Sequence, residues 1–101
     1  MKGRSPIARR LKEARLRAGL SQKQLGISIG VDEFSASPRI NQYERGKHTP
    51  DFETVERIAK ALKVPTPYFY CAEDELAEWV LSFSRLSRQA RRLVLRQAAQ
   101  K

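Results

Sequence analysis

Residues 19–46 have the sequence GLSQKQLGISIGVDEFSASPRINQYERG, and this stretch decides the fold. Ser21 is a favourable helix N-cap, because its hydroxyl can accept a hydrogen bond from a backbone N–H that the first turn leaves without a partner. Gln24 follows three residues later and completes a capping box. Gly30 supplies the left-handed residue that ends a helix. The pattern therefore predicts a short helix over residues 22–29.

A second helix is predicted to end at Glu44, where Arg45, Gly46 and Lys47 follow as a glycine flanked by two cations. Ile40 and Tyr43 have the spacing of one buried face. Two short helices joined by a tight turn are typical of the helix-turn-helix, whose second helix enters the major groove of DNA.

The start of this second helix has two interpretations. Pro38 is expected in the first turn, because only there is its missing N–H harmless. The N-cap would then be Ser35 or Ser37, and Phe34 would pack as a hydrophobic staple ahead of the helix. The alternative is that these residues form a turn of helix of their own that begins at Asp32, with Asp32 capping or pointing away from phosphates.

These residues resemble the Cro/lambda-repressor-like helix-turn-helix family, also called the XRE family. The shared elements are the start Gly19–Gln22, Leu25 five residues before Gly30, the closing Glu44–Gly46, and Pro50. The resemblance covers about residues 5–70. It departs at one place, because the segment between Gly30 and Glu44 is about four residues longer than is usual for such a motif.

The resemblance implies an all-α fold: a five-helix lambda-repressor-like DNA-binding domain over residues 5–70. A basic N-terminal arm would precede it at residues 1–4, and a C-terminal helical hairpin would follow at residues 71–101. The first helix has an apolar stripe at Ile7, Leu11 and Ala14. Its cations off the stripe are expected to form a solvated face that adds to the field attracting DNA; they are Arg9, Arg10, Lys12 and Arg17.

Two further segments are expected to complete the core. Asp51 should cap a fourth helix, whose predicted apolar stripe is Phe52, Val55, Ile58, Ala59 and Leu62. Tyr68, Phe69 and Tyr70 follow on a short fifth helix. They are expected to seal the core, although aromatic residues can also stack on single-stranded nucleic acid.

The resemblance also implies roles for single residues. An arginine at the place of Arg15 pairs with the glutamate that closes the recognition helix, here Glu44. Counting back from Glu44, the base-reading positions fall on Ser37, Pro38 and Gln42, with Arg39 and Asn41 close by. These residue types suit base edges, since arginine pairs with guanine, asparagine or glutamine with adenine, and proline can touch a thymine methyl. The alternative for Asn41 and Gln42 is an ordinary polar surface.

Phosphate contacts are expected at both ends of the motif. The resemblance assigns one to Gln22, in the first turn of its helix, and Lys23 is a second candidate, with plain solvation as its alternative. In the loop after the recognition helix, the candidates are Arg45, Lys47 and His48, together with exposed backbone N–H groups. His48 is the only histidine, which makes it a poor metal ligand and a poor catalytic base.

The segment after Cys71 contains two more predicted helices. Leu76, Trp79, Val80, Phe83 and Leu86 are in helical phase, and Ser87 caps a last helix with Ala90, Leu93, Val94 and Gln97 on one face. This pair either folds onto the domain as extra core or contacts a second copy. We favour a mixture of the two that includes dimerisation, because the operators read by this family are typically two-fold symmetric. A membrane-surface role for the basic last helix is weakly indicated, because its arginines are scattered.

Composition limits the class of protein. The formal net charge is +9 and the pI about 10.3, which implies a polyanionic partner such as nucleic acid. The single cysteine, Cys71, forms no internal disulfide, which fits a reducing cytoplasm. There is no apolar run long enough to span a membrane and no signal-peptide core. No catalytic triad, metal-spaced cluster or glycine-rich phosphate loop is present, so we expect no enzyme activity, cofactor or metal.

The sequence thus predicts a cytoplasmic, sequence-specific regulator of transcription that binds double-stranded DNA. We expect a repressor that acts as a homodimer on a two-fold symmetric operator. The alternative is the antitoxin of a toxin–antitoxin pair, in which the C-terminal helices bind a partner protein and DNA binding serves autoregulation.

Overall fold

The computed structural model describes residues 5–100, which form six α-helices and one short 3₁₀ helix, with no strand in that range. The helices are α1 Ile7–Ala18, α2 Gln22–Ser28, α3 Glu33–Glu44, α4 Phe52–Leu62, α5 Asp74–Arg85 and α6 Arg88–Ala99, and the 3₁₀ helix Thr66–Tyr70 lies between α4 and α5. The all-α prediction is confirmed. The basic arm predicted at residues 1–4 lies outside the described residues.

The ends of α1 and α2 follow the predicted capping chemistry. Ser21 Oγ accepts from the Gln24 N–H at 3.0 Å, and Gln24 Oε1 accepts from the Ser21 N–H at 2.8 Å, so both halves of the capping box form. Gly19 follows α1 with a positive φ of 75°, and Gly30 follows α2 with a positive φ of 97°. Each supplies a backbone conformation that residues with a Cβ rarely adopt.

Helix α3 starts earlier than the favoured interpretation placed it. Asp32 is the N-cap, and its Oδ1 accepts from the N–H groups of Phe34 at 3.0 Å and Ser35 at 2.9 Å. The predictions of an N-cap at Ser35 or Ser37 and of a first-turn Pro38 are therefore wrong. The alternative is confirmed in placing the helical start at Asp32, but the turn that begins there is continuous with α3 rather than a turn of its own. The hydrogen bonds from Ser35 and Phe34 hold the pKa of the Asp32 carboxyl below its ordinary value.

Pro38 lies inside α3, and Phe34 is not a staple. The ring of Pro38 removes the hydrogen bond that the Phe34 carbonyl would otherwise accept. Phe34 is 88% exposed, so water can reach this end of the helix. The extra residues between the turn and Glu44 are therefore absorbed as about one additional turn of α3, which is 3.6 residues in an α-helix.

Helices α2 and α3 cross at Gly26 and Ala36. A Cβ atom added at Gly26 would lie 2.6 Å from the Ala36 Cβ and 2.8 Å from its carbonyl oxygen. Both residues are buried, and only glycine permits this approach of the two backbones. The crossing sets the angle at which α3 leaves the core.

The remaining core comes from α1, α4 and the 3₁₀ helix. The side chains buried as predicted are Ile7, Leu11, Ala14, Ile40, Tyr43, Val55, Ile58, Ala59, Leu62, Tyr68 and Phe69, and Leu25 of α2 is buried with them. Asp51 caps α4 by accepting from the Thr54 N–H at 2.8 Å. Two predicted core positions are wrong, because Phe52 is 58% exposed and Tyr70 is 45% exposed.

Arg10 is buried rather than solvated, which corrects the expectation for the α1 cations. Its side chain is 2% exposed, and its Nε donates to the Cys71 carbonyl at 2.8 Å. Its guanidinium also pairs with Glu13 at 3.1 Å and Asp74 at 3.0 Å. Tyr68 completes the cluster by donating its hydroxyl to Glu13 at 2.9 Å. This cluster, the Arg10 cluster, joins α1 to the segment that leads into α5.

Two neighbours of this cluster support the same connection. The exposed Arg9 donates to the Asp74 carboxylate and to the Ala72 carbonyl, and the hydrogen bonds from Arg9 and Arg10 lower the pKa of Asp74. Cys71 is buried, and its thiol donates to the Pro67 carbonyl at 3.3 Å, consistent with a structural role.

Helix α5 packs on the domain, whereas α6 does not. Ala77 and Leu81 are the buried residues of α5, while Trp79 and Phe83, which the predicted stripe included, are 61% and 53% exposed. No residue of α6 is buried. The C-terminal pair thus contributes one face to the core and leaves its larger apolar side chains outside.

Within the described residues, no helix is both long and apolar enough to cross a membrane.

Gly26→Ala is expected to lower the free energy of unfolding by about 1–3 kcal/mol, because the added methyl overpacks the α2–α3 crossing. This loss is net of the gain of about 1 kcal/mol in helix propensity that alanine brings, because the added methyl would meet backbone atoms of Ala36. Urea denaturation measures the difference. Ser28→Ala, at an exposed position of the same helix, is the control and should change stability little. A Gly26→Ala protein as stable as the parent would contradict the close contact.

Candidate nucleic-acid interface

Helix α3 has a buried face and an outward face. Ala36 and Ile40 are fully buried against the rest of the domain. Phe34, Pro38 and Arg45 lie on the opposite side, and all three are exposed. Their spacing of four and seven residues places them in one row along the helix. This row is the outward face of α3.

Glu44 lies at the C-terminal end of α3 with its side chain 4% exposed. Arg15 of α1 contacts it through two nitrogens, with Nε at 2.5 Å from Oε2 and Nη2 at 3.1 Å from Oε1. The third nitrogen of Arg15, Nη1, donates to the Leu20 carbonyl at 2.9 Å. The structure thus contains the ion pair that the sequence resemblance implied. It fixes the end of α3 against α1.

Gln22 ties α2 to the same side of α3. Its Nε2 donates to Glu44 Oε1 at 3.1 Å and to Asn41 Oδ1 at 3.2 Å. Its Oε1 accepts from Ser37 Oγ at 3.3 Å. Residues 37, 41 and 44 lie on successive turns of α3, so the side chain of Gln22 bonds to three turns of that helix. The amide of Gln22 is therefore engaged within the protein when DNA is absent.

The base-reading candidates do not form a single patch. Pro38 is on the outward face, and Gln42 is half-buried beside it. Ser37 and Asn41 lie at the seam with α2, where Gln22 uses part of their hydrogen-bonding capacity. Arg39 is exposed but turned towards α4, where it lines a hollow that also includes Thr54 and Arg57.

The phosphate candidates are exposed side chains at both ends of the motif. Lys23 on α2 lies 3.6 Å from Glu33 in the first turn of α3, so it is partly neutralised. Arg45, Lys47 and His48 are exposed in the loop after α3.

The backbone of that loop is not free. The Lys47 N–H donates to the Gln42 carbonyl at 3.0 Å and the Gly46 N–H donates to the Tyr43 carbonyl at 3.1 Å, which together form a Schellman motif. The His48 N–H also donates to Gln42, at 3.3 Å. The prediction of exposed N–H groups in the loop is therefore wrong at these residues, and only their side chains remain to reach a phosphate.

Sequence reasoning missed the outward position of Phe34. The signal was present, because Asp32 follows Gly30 by two residues and is a strong N-cap. Counting forward from the turn would have started α3 at Glu33, with Phe34 one turn before Pro38.

No group of three or more histidine, cysteine, aspartate or glutamate side chains between residues 5 and 100 could hold a metal ion.

Two closely crossed short helices, the second of which presents an exposed row of side chains away from the core, define a helix-turn-helix of the DNA-binding type. Residues 11–69 match the helix-turn-helix family HTH_3. The chain belongs to this family, which consists of DNA-binding transcriptional regulators rather than enzymes.

The similar proteins include a curated regulator and a solved structure. The HTH-type transcriptional regulator ImmR of Bacillus subtilis (strain 168) is 29% identical over 72 residues, which are 71% of this chain and 53% of ImmR. The chain thus spans about half the length of this curated relative. The crystal structure of transcriptional regulator BswR has a TM-score of 0.89 and 52% identity, covering 93% of each chain. That coverage extends beyond residue 69, so the likeness includes the C-terminal helices.

Arg15→Ala is expected to lower the free energy of unfolding by about 3 kcal/mol or more, because it leaves the buried Glu44 carboxylate without its counter-charge. Thermal unfolding measures the loss. Arg9→Ala is the matched control, since it removes an arginine of the same helix whose ion pair is exposed and contributes at most about 1 kcal/mol. An unchanged melting temperature for Arg15→Ala would show that the pair does not stabilise the fold.

Proposed function

We propose that this protein binds double-stranded DNA sequence-specifically as a homodimer and represses transcription by occupying a two-fold symmetric operator. The observation that supports this most directly is the outward face of α3, held in place through Glu44 by Arg15 and Gln22. A rigid helix that presents an exposed row of side chains, with the cation Arg45 at one end and Gln42 beside it, is suited to the major groove. The cytoplasm is the expected compartment.

In this proposal, base reading and phosphate binding are divided between two groups of side chains. Ser37, Pro38, Asn41 and Gln42 read base edges, with Arg39 at their side. The phosphates are held by Gln22, Lys23, Arg45, Lys47 and His48. The net charge of +9 supports the electrostatic part of the affinity, which falls as salt rises.

The homodimer is proposed to form through the C-terminal apolar face. This face is a groove between α5 and α6 lined by Trp79, Phe83, Leu86, Val94, Leu95 and Ala98. A second copy is the occupant that the charges favour. Helix α6 carries four arginines and no acidic residue, whereas α5 begins with two acidic residues and has a further glutamate at residue 78. In a two-fold interface, the basic helix of one copy can meet the acidic turns of the other.

The same apolar face supports the alternative function. In an antitoxin, it would bind a partner protein of different sequence, and DNA binding would control the synthesis of both. The two proposals predict different masses for the protein measured without a partner. An apolar face reserved for a different protein predicts a monomer, whereas a self-complementary apolar face predicts a dimer.

The proposal is tested by selecting bound DNA from a random pool, with footprinting and light scattering on the same protein. We expect a palindromic motif and a dimer mass. Binding to all DNA without enrichment of any motif, and with a steep salt dependence, would reduce the protein to a nonspecific DNA-binding protein.

Gln42→Ala is expected to relax base preference at one position of the selected motif, with a loss of about 1–3 kcal/mol on the preferred sequence. Nonspecific affinity and melting temperature should stay near those of the parent. Lys47→Ala is the comparison variant, because removing a phosphate contact weakens binding to all sequences alike and lowers the salt slope by about one. Uniform weakening by Gln42→Ala would instead assign Gln42 to the backbone.

Leu95→Arg is expected to convert the dimer to a monomer, because it introduces a charge into an apolar face that already has arginines at its edge. Leu95 is 69% exposed, so folding of the monomer should be unaffected. Leu16→Arg is the control, since Leu16 is 59% exposed on α1 and receives the same charge away from the face. Light scattering reports the mass, and a dimer that survives Leu95→Arg would place the interface elsewhere.

A further inference from the structure

We infer that Phe34 is a specificity-determining residue, and that its ring contacts the C5-methyl group of a thymine in the major groove. This inference rests on the proposed DNA-binding function and names a contact that the function alone does not require.

Phe34 is unusually exposed for a residue of its size. It is 88% exposed, the largest fraction among the large apolar side chains of residues 5–100. A single exposed apolar residue is common on protein surfaces and needs no explanation by itself. Its place in the fold is the informative part, because it belongs to the helix that carries the base-reading candidates.

Phe34 lies on the outward face of α3, one turn before Pro38. The N-terminal residues of a recognition helix are those that contact base edges in this class of motif. One turn of helix corresponds to about 5.4 Å along the axis, so Phe34 extends the outward face by about that distance beyond Pro38. The additional turn of α3 therefore adds a side chain to the surface that faces DNA.

The backbone around Phe34 is fixed. Its N–H donates to the Asp32 carboxylate at 3.0 Å, as does the N–H of Ser35 at 2.9 Å. The Gly26–Ala36 crossing lies within one turn and holds the helix against α2. The ring is thus carried by an ordered first turn, which lowers the entropic cost of ordering it on DNA.

The acidic residues beside Phe34 are engaged by groups of the protein. The Asp32 carboxylate turns back onto the N–H groups of α3, and Glu33 lies 3.6 Å from the ammonium of Lys23. Both negative charges are partly compensated within the motif. They do not prevent this end of α3 from approaching a phosphate backbone.

The chemistry of the Phe34 ring indicates which feature of DNA it contacts. A phenyl group neither donates nor accepts a conventional hydrogen bond, so it cannot read the polar edge of a base. The apolar feature in the major groove is the thymine C5-methyl group. Phe34 and Pro38 form a short apolar row flanked by Glu33, Ser35 and Ser37. This row is small and has polar neighbours, which suits methyl groups better than the extended apolar surface of a protein partner.

The experiment uses the full chain and the motif obtained by selection from random DNA. Each thymine of the motif is replaced in turn by deoxyuridine, which lacks only the C5-methyl group. For the parent protein, we expect one replacement per half-site to weaken binding about three- to fivefold, the value of one buried methyl group. Phe34→Ala should bind the thymine site as weakly as the parent binds the deoxyuridine site, and it should not distinguish the two.

Phe52→Ala is the matched control. It also removes an exposed phenyl group, at the start of α4, and the Phe52→Ala protein should keep the full preference for thymine over deoxyuridine. The melting temperature of Phe34→Ala should equal that of the parent, because an exposed ring contributes little to folding.

Two results would overturn the inference and leave the DNA-binding function standing. In the first, the selected motif is bound equally well by Phe34→Ala and by the parent. In the second, Phe34→Ala weakens binding but keeps the preference for thymine over deoxyuridine at every position. Failure to select any motif would overturn the proposed function, and the inferred contact of Phe34 with thymine would fall as well.

Discussion

The carboxylate of Glu44 is the point on which the position of the recognition helix depends. It is a buried carboxylate, and donors from two other helices bond to it. Arg15 comes from α1 and Gln22 from α2. Three helices are therefore held at one pair of oxygen atoms. The Gly26–Ala36 crossing determines how closely α2 and α3 approach, and Glu44 determines where α3 ends. Together they orient α3 so that its outward face is exposed.

The start of α3, before Pro38, is the part of the helix-turn-helix that the sequence did not decide. The capping residues Ser21 and Asp51 could be predicted because each cap depends on a short fixed spacing. The pairing of Arg15 with Glu44 joins residues 29 positions apart, and it was expected only because the family resemblance implied it. The start of α3 could not be decided by Pro38, since a proline inside a helix costs one hydrogen bond, and water can compensate at an exposed position. An insertion of about one helical turn keeps the buried face of α3 in phase, so the core gives no sign of it.

Arg10 illustrates a second limit. Its place beside a stripe of apolar residues indicated a solvated cation, as for its neighbour Arg9. The burial of Arg10 depends on the Cys71 carbonyl and on Asp74, which are more than 60 residues away in the chain. No local pattern contains that information. The same holds for α5, where helical phase predicted an apolar stripe but did not decide whether Ala77 or Trp79 would face the domain.

The Arg10 cluster also matters for the dimer that we propose. Two recognition helices must lie about 34 Å apart to enter successive major grooves on one side of the duplex. A dimer formed through α5 and α6 can hold that distance only if α5 is rigidly attached to the domain that carries α3. Arg10 provides this attachment, because it bonds the chain on the N-terminal side of α5 to the helix whose Arg15 holds Glu44. Helix α1 thus carries both the bonds of Arg10 to the start of α5 and the bonds of Arg15 to the end of α3. The spacing of the two half-sites would then be a property of the folded chain.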